Sequence, residues 1–328
     1  MTGRPRIAVD LAPSLEESLF DAALLDRLES VGTLVRTAGT DTALRRQADI
    51  LVTGWGTPPL PPRRAGTGRI RFIAHSAGTV RPLVPKSLLA EGVRLTHASA
   101  GMARSVAEAA LYFTIGQLRS LHRVEHAMRH GRDWQEAGSY GPGRTVAGTR
   151  VGVIGASRVG RIYIELVRAL GAAVAVSDPY LSEQEAVRLG VRLMPLDELL
   201  RSCPVIALHA PVTEETRGML DAERLAMIQD GGILVNTARS ALLDTAALTR
   251  MLREGRLSAS LDVFDDEPLP QESELWELPD AVLTPHIAGA TLDSRRHQGT
   301  IVVEEIERYV RGLPLEHEIH VAAYDRLA

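Results

Sequence analysis

A single cysteine, Cys203, stands in 328 residues, so no internal disulfide can form and a reducing, cytoplasmic setting is expected. No stretch approaches the ~18 apolar residues of a membrane-spanning helix, and the N-terminus, with Arg4, Arg6 and Asp10, lacks the apolar core of a secretion signal. Positive charge is not in excess either. With 37 Lys and Arg against 41 Asp and Glu the formal charge is −4, which gives no basic field for a phosphate backbone and argues against a nucleic-acid partner. No repeat of 20 to 50 residues stands out. What is present, 45% hydrophobic and 24% charged residues with 28 Gly and 18 Pro, is the composition of a globular protein, not of a disordered, collagenous or disulfide-built one. At ~100 to 200 residues per domain the length predicts two domains with a ligand cleft between them.

Short apolar, β-branched runs alternate with longer amphipathic ones, the pattern of βαβ repetition and a largely parallel sheet. Early strands are predicted at Ile7 to Leu11, Ile50 to Thr53, Ile70 to His75 and Val93 to Thr96, with a helix over Leu15 to Glu29. The Pro-rich segment from Gly56 to Arg64 reads as a plain loop, with a polyproline ligand as the alternative. A long helix is predicted from Ser105 to about His130. Six strands then follow: Val151 to Ile154, Val174 to Ser177, Val205 to Leu208, Ile233 to Val235, Ser258 to Val263, and Val282 to Leu283. Thr245 to Arg253 reads as a helix with Asp244 as its N-cap and Gly255 just past its end. A last helix from Ala290 to about Arg311 is placed to return the chain to the first domain. The expected fold class is therefore α/β, two Rossmann-like domains with parallel sheets. Residues 1–101 and 290–328 would form a discontinuous substrate domain, and 102–289 an inserted dinucleotide-binding domain.

In an open α/β sheet, ligands sit beyond the carboxyl ends of the strands, and there the polar residues of this sequence collect. Gly155-Ala156-Ser157-Arg158-Val159-Gly160 forms a turn between a strand and a helix, suited to a pyrophosphate, although Ser157 occupies the position of the second glycine of Gly-x-Gly-x-x-Gly. Asp178 ends the next strand 23 residues after Gly155, near the ~20 at which an acidic residue accepts from ribose hydroxyls. A turn-forming Asp before Pro179 is the alternative. Arg239 follows the fourth strand without an acidic neighbour in sequence; its fork suits a carboxylate and an adjacent carbonyl. Glu267 and His286 form a candidate acid/base pair, set against a solvated carboxylate and a loop-packing imidazole. Asp262 reads equally as a strand-end cap, and His209 divides evenly between packing and function.

These strings, in this order, resemble the D-isomer-specific 2-hydroxyacid dehydrogenase family. The likeness runs from Ser105-Val106-Ala107-Glu108 through Leu208-His209-Ala210-Pro211, Asn236-Thr237-Ala238-Arg239, Leu261-Asp262-Val263 and Glu267-Pro268 to Thr284-Pro285-His286, over half the chain. In the first hundred residues only the pattern matches. There His75-Ser76-Ala77-Gly78-Thr79 looks like the family's substrate loop, without its usual Gly-rich version carrying Asp and Asn. The resemblance implies an NAD-dependent oxidoreductase that interconverts a 2-oxo acid and a D-2-hydroxy acid. Arg239 would bind carboxylate and keto oxygen, His286 would carry the proton, and Glu267 would orient and charge it. Gly155, Ala156, Ser157, Arg158, Val159, Gly160, Asp178, His209, Thr237, Ala238 and Asp262 would surround NAD, with Asp262 at the nicotinamide carboxamide. Ala77 and Gly78 would meet the substrate carboxylate. No metal is implied. A homodimer is, with Ser105 to His130 in the contact. Ser240 departs from the glycine that commonly follows the arginine. The same superfamily includes NADH-sensing corepressors, the alternative of a different class, and formate or phosphite oxidation is a minor one among enzymes.

Overall fold

The chain divides into two compact units, Met1–Met102 with Ala290–Ala328, and Ala103–Gly289. The structure is a computed structural model and describes residues 4–37, 42–62 and 64–326. In the first unit five strands, β1 (Arg6–Val9), β2 (Thr33–Arg36), β3 (Ile50–Thr53), β4 (Phe72–His75) and β5 (Arg94–His97), form one parallel sheet in the order β2-β1-β3-β4-β5. β3 and β4 are buried along their whole length, as central strands of a sheet covered on both faces must be. β2 was not expected from the sequence. It lies at the sheet edge with two exposed and two half-buried residues, and so carries no apolar run to announce it.

Two expected helices are interrupted. Leu15 to Glu29 is broken into Pro13–Leu19 and Ala22–Val31, because Asp21 turns its carboxylate onto the Leu24 N–H at 2.9 Å and starts a new helix. Ser105 to His130 stops after Ala103–Leu118, where the Leu118 carbonyl accepts from the Arg144 N–H and Ser120 takes a left-handed φ of +47°. The chain continues as Leu121–His126 and a wider turn, Ala127–Gly131. Gly56 to Pro62 is turn and irregular chain, as expected for a loop; Arg63 lies outside the described residues. The last long helix, Leu292–Val310, begins with a capping box between Thr291 and Ser294. It packs in the first unit so closely that a Cβ on Gly299 would stand 1.9 Å from the Leu19 carbonyl oxygen. No helix among the described residues is long and apolar enough to cross a membrane.

The second unit holds β6 (Arg150–Ile154), β7 (Ala173–Ser177), β8 (Arg192–Leu193), β9 (Val205–Leu208), β10 (Gly232–Asn236), β11 (Leu257–Leu261) and β12 (Ala281–Leu283). All pair in parallel, in the order β12-β11-β10-β9-β6-β7-β8. The six expected strands are present, Val205–Leu208 with both ends as expected and the others with ends within two residues; β8 is an unanticipated seventh of only two residues. The winding reverses between β6 and β9, which is where a doubly wound sheet opens a crevice at its carboxyl edge. Thr245–Arg253 is a helix capped by Asp244, with Gly255 at φ +66° beyond its end, as its sequence predicts.

Candidate active site

The turn after β6 is built by close approach. Gly155 has φ +94°, and a Cβ there would lie 2.6 Å from the Ala210 nitrogen; one on Gly160 would lie 2.2 Å from the Gly155 oxygen. Between them Ser157 is the N-cap of the helix Arg158–Ala169, its Oγ accepting from the Gly160 N–H at 3.3 Å. That leaves the hydroxyl hydrogen available to a further acceptor. Arg158 is exposed and Val159 half-buried. Asp178, at the end of β7, accepts from the Ala156 N–H at 2.7 Å and the Tyr180 N–H at 2.8 Å, so both the turn-forming reading and the link to the Gly-rich turn are realised. Each of its oxygens keeps a lone pair.

His209 follows β9 at the crevice, its N–H donating to the Ile154 carbonyl. The imidazole is buried, 4.9 Å between centroids from the Tyr163 ring, with neither nitrogen hydrogen-bonded. Burial pushes its pKa down to about 3. Thr237 is buried as well, and its Oγ1 has no partner. Ala238 and Arg239 are positioned by a residue that sequence reasoning left without a role, Asn236. Its amide accepts from the Ala238 N–H at 3.0 Å and donates to the Arg239 carbonyl at 2.9 Å. The Arg239 Nη1 donates to the Ala238 carbonyl at 2.6 Å. Desolvation lowers the Arg239 pKa below the ordinary arginine value, opposed by the nearby Glu267 charge.

Glu267 and His286, 19 residues apart, meet at 2.7 Å between Oε2 and Nδ1, while Glu267 Oε1 accepts from the Phe264 N–H at 3.1 Å. Partial burial pushes the Glu267 pKa up. The hydrogen bonds from His286 and Phe264, with the charges of His286 and Arg239, outweigh this and hold it below the usual carboxylate range. His286 stands at φ +53°, a backbone region uncommon for a side chain of this size. A cavity of about 640 Å³ opens on the pair, lined by Phe264, Leu269, Trp276, Leu283 and Pro285. Asp262 is 1% exposed and its carboxylate takes the Thr284 hydroxyl and the N–H groups of Ile287 and Ala288. The strand-end reading of Asp262 thus understates it, since it ties down the segment on which His286 sits. Arg161 was also missed: its Nε donates to the Ala156 carbonyl at 3.0 Å and so braces the Gly-rich turn from the helix side.

Ala77 and Gly78 belong to the first unit, in the loop after β4. Ala77 is buried and its carbonyl accepts from the Ala98 N–H; a Cβ on Gly78 would make only ordinary contact, 3.5 Å from the Ser99 Cβ.

Residues 111–288 match the family model described as D-isomer specific 2-hydroxyacid dehydrogenase, NAD binding domain. The D-3-phosphoglycerate dehydrogenase of Mycobacterium tuberculosis is 32% identical over 267 residues, 81% of this chain and 50% of that protein. The chain thus spans about half the length of that relative. The glyoxylate reductase of Korarchaeum cryptofilum is 30% identical over 249 residues, 74% of each chain. The crystal structure of the TT0316 protein from Thermus thermophilus superposes with a TM-score of 0.80 at 27% identity, over 96% of this chain and 99% of that one. With a family model spanning more than half its residues, and with the Gly-rich turn, Asp178 and the reversal between β6 and β9 inside the matched region, this chain belongs to the D-isomer specific 2-hydroxyacid dehydrogenase family and carries that family's NAD-binding domain.

Proposed function

We propose that the chain interconverts a 2-oxo acid and the corresponding D-2-hydroxy acid, with NAD as the hydride carrier. The observation that carries this reading is the 2.7 Å contact of His286 Nδ1 with Glu267 Oε2, beside an Arg239 that senses the same carboxylate. The turn from Gly155 to Gly160 suits a dinucleotide: it has no room for side chains at its two glycines, it opens a helix, and an unpaired Thr237 hydroxyl is buried at the same carboxyl edge, after β10. Asp178 would accept from the ribose hydroxyls with its free lone pairs and repel an added phosphate there, favouring NAD over NADP. When bound, NAD supplies the carbon that gives or takes the hydride.

The remaining work falls to this chain's own side chains. Arg239 grips the substrate carboxylate and lies against the keto oxygen, stabilising the negative charge that grows on it during reduction. His286 donates a proton to that oxygen from Nε2, the nitrogen Glu267 leaves open, and in the opposite direction accepts it. Glu267 fixes the tautomer by holding Nδ1. Asp262 holds the His286 segment in place, and its carboxylate would be the group to meet the nicotinamide carboxamide. The test is NADH oxidation, followed by absorbance, against glyoxylate, hydroxypyruvate, pyruvate, phenylpyruvate and phosphohydroxypyruvate. Turnover of at least one supports the reading; tight NADH binding without turnover of any would make the chain a nucleotide-binding protein instead.

A further inference from the structure

Arg295 lies in the first turn of the helix Leu292–Val310, with its guanidinium carbon 3.9 Å from the centroid of the Trp55 ring. A guanidinium stacked on an indole has its face covered, while its N–H donors point outward in its own plane. Here those donors find nothing. Among the described residues the Arg295 guanidinium makes no hydrogen bond or ion pair, and its Nη1 is shut off from solvent. Other arginines of the same unit behave differently: Arg27 and Arg94 are paired with Glu307 and Glu318. Burial lowers the Arg295 pKa with no neighbouring carboxylate to offset it.

Two neutral groups nearby in the fold are fully buried and equally unpaired. Gln298, one turn along the same helix, has neither amide atom bonded and packs on Gly101, where an added Cβ would stand 2.8 Å from its Cγ. Ser76, just after β4, has a bare Oγ that an added Cβ on Gly54 would approach to 2.6 Å, and Gly54 is the residue before Trp55. The loops after β3 and β4 and the start of the long helix therefore bring a stacked guanidinium, an amide and a hydroxyl to the carboxyl edge of the first sheet. Unsatisfied buried donors are rare enough to need an explanation, and this edge is where open parallel sheets take ligands. An oxyanion has the planar, edge-on acceptors that such a guanidinium lacks.

We propose that Arg295, held flat on Trp55, is an oxyanion subsite of the first unit that takes a carboxylate or phosphate group of a small molecule, with Ser76 and Gln298 supplying neutral donors. It is a site of the first unit by itself, separate from the carboxylate binding assigned to Arg239. The binding test does not depend on turnover. In the full chain with Trp134→Phe and Trp276→Phe, Trp55 is the remaining indole, and its fluorescence is followed during titration with sodium phosphate and with malonate at constant ionic strength. A saturable response is expected. Arg295→Met, which keeps an apolar stem on the ring, should weaken it about tenfold or more, and Ser76→Ala should weaken it with the stack untouched. Thermal melts with and without phosphate, on the same variants, show that each is folded and give an independent reading of binding.

No saturable response to either anion, or an equal response in Arg295→Met, overturns the proposal. A kinetic arm then assigns the anion's source. If the group belongs to the substrate, Arg295→Met lowers the ratio of kcat/KM for a 2-oxo dicarboxylate over a 2-oxo monocarboxylate, and phosphate competes with the former. An unchanged ratio with anion binding lost in the variant supports the subsite as one for a separate effector. If no 2-oxo acid is turned over at all, the activity reading fails while the titration still decides the subsite.

Discussion

Asp262 governs His286 without bonding to its ring. One carboxylate oxygen accepts the Thr284 hydroxyl at 2.6 Å and the Ile287 N–H at 2.9 Å, the other accepts the Ala288 N–H at 2.9 Å, and His286 sits between these anchors at φ +53°. A carboxylate that is 1% exposed and accepts three hydrogen bonds is a clamp on a strained segment. Asp262→Asn keeps the shape but turns an amino group towards donors. We expect a loss of about 1 to 3 kcal/mol in urea unfolding. Because a small displacement of a positioned acid/base group is costly, kcat/KM should also fall about 10²-fold. Full activity at lowered stability would confine Asp262 to holding the fold.

For Arg239 the decisive variant is lysine, which keeps the charge and gives up the fork. The main-chain bonds made by Asn236 to this loop remain, so the NADH-binding surface should survive. Expected is a loss of about 10²-fold or more in kcat/KM for the best 2-oxo acid, with NADH affinity within a factor of about two. Near wild-type kcat/KM in Arg239→Lys would remove the residue from the mechanism.

Ser157 separates two effects that its hydroxyl combines. As N-cap it holds the Gly160 N–H through Oγ, so Ser157→Ala should cost about 1 kcal/mol of stability and Ser157→Gly only a few tenths. If the hydroxyl hydrogen is donated to the pyrophosphate, both variants bind NADH no better than the parent, by calorimetry. A clearly tighter Kd for Ser157→Gly would show that the Cβ obstructs the cofactor.

What could be read in advance follows the range of the interactions. The helix Thr245–Arg253 was legible because Asp244 and Gly255 act within one turn of its ends, and β3 because a central parallel strand is apolar throughout. β2 and β8 were not, one being a half-exposed edge and the other two residues long. The break after Leu118 depends on the N–H of Arg144, 26 residues on, which no local pattern contains. In the site the same division holds. The order of Arg239, Glu267 and His286 on a parallel-sheet rim predicted their neighbourhood, whereas the supports given by Asn236, Arg161 and Asp262 emerge only when loops close.

Buried imidazoles should show in the acid limb of stability. His209 is held neutral with its pKa pushed down to about 3, and His75 to about 4, chiefly by burial, against the ordinary histidine value of 6.5. Below pH 6.5 the unfolded chain takes up protons that the native state refuses. The contribution is therefore complete above pH 6.5 and is lost as pH falls from there towards 4 and 3. His209→Phe keeps a ring against Tyr163 and removes the titrating group. Relative to the parent, its unfolding free energy in urea should gain on the order of 3 kcal/mol between pH 7 and pH 4. Parallel pH curves for the two proteins would mean that His209 protonates in the folded state.

The Glu267 carboxylate, held below its usual range by the bonds to His286 and Phe264, stays ionised throughout the pH range in which a histidine titrates. It holds Nδ1 of the ring whose Nε2 donates the proton in 2-oxo acid reduction. Glu267→Gln removes the charge and keeps an acceptor for the Nδ1 proton. With the ring held less firmly and its positive form no longer faced by a carboxylate, kcat/KM for reduction should accordingly fall about tenfold or more at nearly constant NADH affinity. His286→Ala is the companion, with a loss of about 10² to 10⁴ in rate at nearly constant NADH affinity. Full activity in Glu267→Gln would reduce the 2.7 Å contact to a surface hydrogen bond, and collapse of NADH binding in His286→Ala would mark the histidine as a structural support of the cofactor site.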